Sequence, residues 1–177
     1  LSYEIEEWNT AGESPVWVQV PAISGPGDYI TAYWGQTNAT VPPSYTQDGS
    51  TWSEGYELVL HLNSNVNDSV SSPLTVIDQD SDDAAGIVAR AREFDSSTNN
   101  YLEPLIDAGW YGDHITNLTI SVWGRPDSTT PRSPFGVLGG LFDSLYIKPS
   151  RGTWSYRVSD QTKLGSSIQP AQWQMLG

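Results

Sequence analysis

Apolar and polar residues alternate with a period of two along most of this chain, and no long helical period interrupts them. Val16, Val18 and Val20 share one face of an expected strand, with Trp17 and Gln19 on the other. Ile30, Ala32 and Trp34 oppose Thr31 and Tyr33, and Leu58, Leu60 and Leu62 oppose Glu57, Val59 and His61. Leu118, Ile120 and Val122 oppose Thr119, Ser121 and Trp123. Further strands are expected over 136–142, 145–148 and 153–158, where Trp154, Tyr156 and Val158 align. Turn formers separate these runs: Gly25-Pro26-Gly27-Asp28, Pro42-Pro43, Asp48-Gly49 and Pro149-Ser150-Arg151-Gly152. One short helix is expected near Asp83 to Arg92, weakened by Gly86. Many short strands with Gly/Pro turns predict an all-β protein, an antiparallel β-sandwich or barrel. The Pro-, Ser-, Thr- and Gly-rich stretch 41–54 is the expected boundary between a smaller β unit and a longer β domain.

Composition adds bulk and charge to that pattern. Eight Trp, nine Tyr and three Phe supply enough large side chains for a core in a chain of mean hydropathy −0.39. Eight basic residues against 21 acidic ones give a net charge of −13, which repels phosphate backbones and argues against nucleic-acid binding. The same surface suits divalent cations. There is no cysteine, hence no disulfide framework and no thiolate chemistry. No apolar run approaches the roughly 20 residues of a membrane-spanning helix, so direct membrane insertion is not expected. Leu1 reads as mid-protein sequence, and an excised or processed piece is expected.

Several motifs carry a family resemblance. YEIEEWN, VWVQVP, ITAYWG and TWSEGYELVLHLN resemble, in that order, a bacterial module of unknown function commonly found ahead of a laminin-G-like, concanavalin A-like domain. From LHLN onward, through GIVARAREFDSSTNNYLEP and LTISVWGRP, the sequence resembles that partner domain. Gly86, Ala91, Phe94 and Asp95 occupy the positions of its hairpin motif, with Ser96 where glycine is usual. The resemblance implies that residues 1–54 are the C-terminal part of the module. It implies that residues 55–177 are a concanavalin A-like jelly roll, incomplete at its C-terminus, within a large exported or envelope-associated protein.

Candidate chemistry falls into three places. Glu4 and Glu6, two apart on a strand, face the same way at roughly 6.6–7 Å, within the range of paired glycosidase carboxylates. The sandwich hydrolases that resemble this pattern carry a third acidic residue two positions on, and Trp8 stands there instead. An acidic, solvent-facing edge strand is therefore the expectation for YEIEEW. Asp78, Asp80 and Asp82 match alternate positions of a calcium loop, and Asp83 adds a fourth carboxylate, but neither the glycine nor the closing glutamate of a helix-flanked calcium hand follows. A looser calcium site competes there with a solvated acidic loop. His61 and His114 are far apart in sequence and give no zinc spacing. Aromatic residues beside hydrogen-bonding side chains are the stronger signal, because sugars stack their C–H faces on indole and phenol rings. Trp110 and Tyr111 with Asp113 and His114 form the expected sugar platform, and Trp123 is a second candidate. Together these readings predict a non-catalytic extracellular binding module for a glycan or polysaccharide. The rivals are a structural domain that meets protein partners or its own copies through unpaired strand edges, and a polysaccharide hydrolase or lyase.

Overall fold

The structure is a computed structural model of the 177-residue chain, and it describes residues 1–38, 41–95, 97–106, 118–129, 135–138, 144–158 and 161–177. The described elements are almost all strands, every pairing is antiparallel, and the fold is all-β. The chain divides into two compact units, Leu1–Leu105 and Ile106–Gly177. The expected boundary at 54/55 lies inside the first unit, where side chains of residues 4 and 6 contact those of residues 61, 63 and 69.

In the first unit, β1 (Tyr3–Ile5) pairs with β2 (Val16–Val18), with Glu4 directly opposite Trp17. Two 3-10 turns follow, Ser44–Thr46 and Ser50–Trp52. Gly49 starts the second turn with a φ of 80°, and a Cβ there would sit 2.2 Å from the Ser71 backbone nitrogen. Only glycine meets both demands, so the second turn begins in close contact with the 70–71 backbone. β3 (Val76–Gln79) pairs with β6 (Tyr101–Pro104), and β4 (Asp82–Ala85) with β5 (Arg90–Glu93).

Three expectations are corrected in this unit. The helix expected near Asp83 to Arg92 is the β4–β5 hairpin. Its turn is closed by the Gly86 N–H donating to the Ala89 carbonyl, and a Cβ on Gly86 would fall 2.1 Å from the Arg90 carbonyl oxygen. The glycine that weakens a helix is what this hairpin requires. The strand expected at 57–62 is reduced to a single bridge, Leu60 to Asp68. Leu62 has a φ of 57°, a left-handed conformation that ends an extended run. The buried Asp68 carboxylate accepts the backbone N–H groups of Val59, Val70 and Leu74 in place of ladder bonds. The alternating run 30–34 forms no strand, and its aromatics face solvent, with Tyr33 at 93% exposure.

In the second unit, β7 (Val122–Gly124) pairs with β12 (Gln174–Leu176). A four-stranded meander follows the order β11-β10-β9-β8, from β8 (Phe135–Leu138) and β9 (Ser144–Ser150) to β10 (Thr153–Val158) and β11 (Gln161–Ser167). Its core is apolar: Ile147, Trp154, Ile168 and Leu176 are buried together, with Ile120, Val122 and Tyr156 packed on them. Gly165 lies under the Tyr156 ring, where a Cβ would be 2.3 Å from Cε2. Trp154 donates its indole N–H to Gln174 Oε1 at 3.2 Å, so its polar edge is satisfied inside the core.

Candidate functional site

Strand alternation puts the Glu4 and Glu6 side chains on one side of the chain, and His61 is held between them. His61 Nδ1 lies 2.7 Å from Glu6 Oε2. Nε2 lies 3.4 Å from Glu4 Oε2, an ion-pair distance without the alignment of a hydrogen bond. The remaining carboxylate valences are filled by neutral donors. Glu6 accepts the Trp17 indole N–H at 2.7 Å and the Asn63 amide at 2.9 Å. Glu4 accepts the Trp52 indole N–H at 2.5 Å and the Ser69 hydroxyl at 2.9 Å. Both carboxylates thus accept an indole N–H and a small polar side chain, and both lie within ion-pair distance of the imidazole.

The cluster is largely desolvated. The side chain of Glu6 is 2% exposed and that of His61 8%, so the edge strand expected to face solvent turns its acids inward. Burial alone would raise the Glu4 and Glu6 carboxyls, but His61 and the indole, hydroxyl and amide donors outweigh it and hold both below their ordinary range. Burial alone would lower His61, and the contacts to Glu4 and Glu6 reverse this and push it up to about 9. His61 is therefore an imidazolium at neutral pH, with Nδ1 against Glu6 and Nε2 at ion-pair distance from Glu4. Its ring also lies 5.5 Å from the centroids of both Trp17 and Trp52, so the buried cation is flanked by two aromatic rings.

Trp17 and Trp52 are 5.6 Å apart and tilted by 57°, and Tyr56 meets Trp52 edge-on at 5.3 Å. With both indole nitrogens anchored to carboxylates, neither ring is free to turn about its axis. These three rings line an open groove of about 380 Å³, together with Gln19, Glu54 and the buried Thr51. Glu4, Glu6 and His61 are not among its lining residues. The division is clear: the charged cluster holds the rings, and the rings meet solvent beside Gln19 and Glu54. No family model, curated protein or solved structure matches the chain.

The residues expected from sequence fare differently. Trp110, Tyr111, Asp113 and His114 lie outside the described residues. Trp123 is 46% exposed on β7, opposite the exposed Met175 of β12, while its neighbour Val122 packs on the core. Asp78, Asp80, Asp82 and Asp83 fall in and between β3 and β4. Asp83 meets Arg90 at 2.8 Å and Arg92 at 2.9 Å, and Asp78 lies 3.6 Å from Arg92. Asp78 also accepts the Ser81 backbone N–H, and Asp80 takes a φ of 55°. Two of the four carboxylates thus face arginine, and among the described residues no group of three or more His, Asp or Glu is placed to hold a metal ion.

Sequence reasoning did not join Trp17, Trp52, Tyr56, His61, Asn63 and Ser69. A signal for part of the set exists: Glu4-x-Glu6 and His61-x-Asn63 are two polar pairs at strand spacing, one acidic and one able to donate. Their complementarity becomes a contact only when the fold brings residues 57 apart together.

Proposed function

We propose that the protein is a non-catalytic binding module that takes a glycan on the Trp17–Trp52–Tyr56 surface. The observation that carries this reading is the double anchoring of the indoles: each N–H is spent on a glutamate, leaving the ring faces as a fixed apolar platform. A ligand meeting pre-set rings loses little affinity to ordering them. Gln19 and Glu54 supply hydrogen-bonding groups around the platform, and the groove volume is at the small end of the roughly 300–1,000 Å³ common for small-molecule sites. That size suits one or two sugar rings within a longer chain lying in the open groove.

The electrostatics favour binding over hydrolysis at this cluster. A glycosidase acid must keep its proton near neutrality, which requires a raised carboxyl. Glu4 and Glu6 are both lowered, and their oxygens are already engaged by His61, Trp17, Trp52, Asn63 and Ser69. An exported or envelope location and a jelly-roll packing of the sheets, both implied by the family resemblance, belong to the same proposal.

Tryptophan-fluorescence titration against a glycan panel tests it. Binding by the intact protein should fall about tenfold or more in Trp52→Ala and stay unchanged in Trp123→Ala, each variant first checked for native circular dichroism. A folded sample that binds no glycan on the panel would overturn the reading.

A further inference from the structure

We infer that the groove selects glycans bearing protonated amino groups, such as glucosamine oligosaccharides, over neutral ones, and rejects uronate and sulfated chains. This inference rests on the glycan reading above and gives it a ligand class. Three independent features of the first unit point the same way.

The first feature is the groove itself. Glu54 is the single charged residue among its lining side chains, and it sits with Trp17, Trp52 and Tyr56. Among the described residues no ion pair engages Glu54. A carboxylate beside aromatic faces is the chemistry that recognises an ammonium group, through charge and through the ring quadrupole together. The second feature is the state of the rings. An indole N–H donated to a carboxylate pushes electron density into the ring, and both indoles make this bond. Their faces are thereby more attractive to a cation than the face of a free indole.

The third feature is the distribution of charge. Residues 1–105 carry two basic residues, Arg90 and Arg92, against sixteen acidic ones, a balance of −14. Both arginines are engaged by aspartates of the β3–β4 region, Arg90 by Asp83 and Arg92 by Asp78 and Asp83. Recognition of a uronate, sulfate or phosphate calls for an arginine or lysine with free donors. The groove offers none among its lining residues, and the surrounding field repels anions and attracts cations from solution.

Calorimetric titration with four tetrasaccharides decides the matter: a glucosamine oligomer, its N-acetylated form, a glucose oligomer and a galacturonate oligomer, at pH 6 in low and high salt. The glucosamine oligomer should bind about five- to tenfold tighter than the glucose oligomer, and the galacturonate oligomer should not bind detectably. High salt should shrink the preference, because part of it is the field of an exposed acidic surface. Glu54→Gln should cost the glucosamine oligomer about threefold and leave the glucose oligomer unchanged. Trp52→Ala should weaken both.

Equal affinity for the amino and neutral oligomers would overturn the selection while leaving the glycan reading intact. A preference unaffected by Glu54→Gln, or glucosamine binding unaffected by Trp52→Ala, would trace the effect to diffuse attraction and overturn the assignment to this groove. Binding of none of the four overturns the inference, and failure across the wider panel above overturns the glycan reading as well.

Discussion

Residues 1–105 and 106–177 bury different chemistry. In the second unit the interior is Ile147, Trp154, Ile168 and Leu176, and the polar edge of Trp154 is met by a neutral amide. In the first, Val70 is the single buried hydrophobic among the described residues, and two anionic side chains and a cationic ring are packed against Trp17 and Trp52. The net charge follows the same division: −14 for the first unit and +1 for the second, where six basic residues face five acidic ones. An apolar core tolerates changes of pH and is damaged by loss of volume. A buried ionic cluster is nearly the reverse, because its cohesion depends on every member staying charged and paired. The same acids that make the first unit sensitive are what fix its indoles at the groove.

Single substitutions should expose the contrast most strongly. Trp154→Ala leaves a void in the apolar cluster and should cost about 3–5 kcal/mol, with little dependence on pH. His61→Ala removes little apolar volume, yet it leaves Glu4 and Glu6 facing each other without their cation and should cost about 3 kcal/mol. Adding Glu6→Gln to His61→Ala should then recover stability, since it removes one of the two repelling charges. Denaturant unfolding of the three variants checks this. A double variant no more stable than His61→Ala would show that the cluster is held by packing rather than by charge.

The pH profile follows from the same groups. His61 is raised from 6.5 to about 9, so its stabilising contribution is complete below 6.5 and is lost as pH climbs through about 9. Glu4 and Glu6 are lowered from 4.5, so their contribution is complete above 4.5 and is lost as pH falls below it. The first unit should therefore be firmest between about 4.5 and 6.5, and should lose about 2 kcal/mol between pH 7 and pH 10. Exchange of the indole N–H protons, read by NMR and corrected for the intrinsic pH dependence, separates the two units. Protection at Trp17 and Trp52 should fall across that range while Trp154 holds. Parallel loss at all three would break the comparison, and persistence of the alkaline loss in His61→Gln would exclude His61 as its source.

What could be read from sequence divides along the same line. Part of the second unit's interior is local: Trp154 and Tyr156 stand two apart on β10, so alternation put them on one face, and strand pairing brings Ile147 opposite Tyr156. The all-β class and the strand at 16–18 were equally legible, because period two is a short-range signal. Glu4 and Glu6 were legible as a same-face pair but not as buried groups, because their partners lie at residues 61, 63 and 69. Acidic residues are usually solvated, and only a tertiary contact reverses that prior. The β4–β5 hairpin was hidden for another reason. Its charges repeat every few residues in a way that also suits a short helix, and Gly86 had to be recognised as a turn residue rather than a weak helix former.

The β4–β5 hairpin also supplies the smallest expected effect, and a control for the whole comparison. Asp83 lies opposite Arg92 in the hairpin and also meets Arg90, so by distance its ion pairs, at 2.8 and 2.9 Å, are as short as those of the buried cluster. The difference is exposure: Arg90 is 47% exposed and Asp83 42%, so water competes for both charges and salt screens them. Arg90→Ala should change stability by no more than about 0.5 kcal/mol, and the change should vanish in high salt. The buried cluster should keep most of its effect under the same salt, since Glu6 and His61 are shielded from counterions. Denaturant unfolding of Arg90→Ala and His61→Ala at low and high salt makes the test. A cost for Arg90→Ala approaching that of His61→Ala would mean that proximity, rather than desolvation, sets the strength of these pairs, and the first unit's buried acids would lose their claim to a special role.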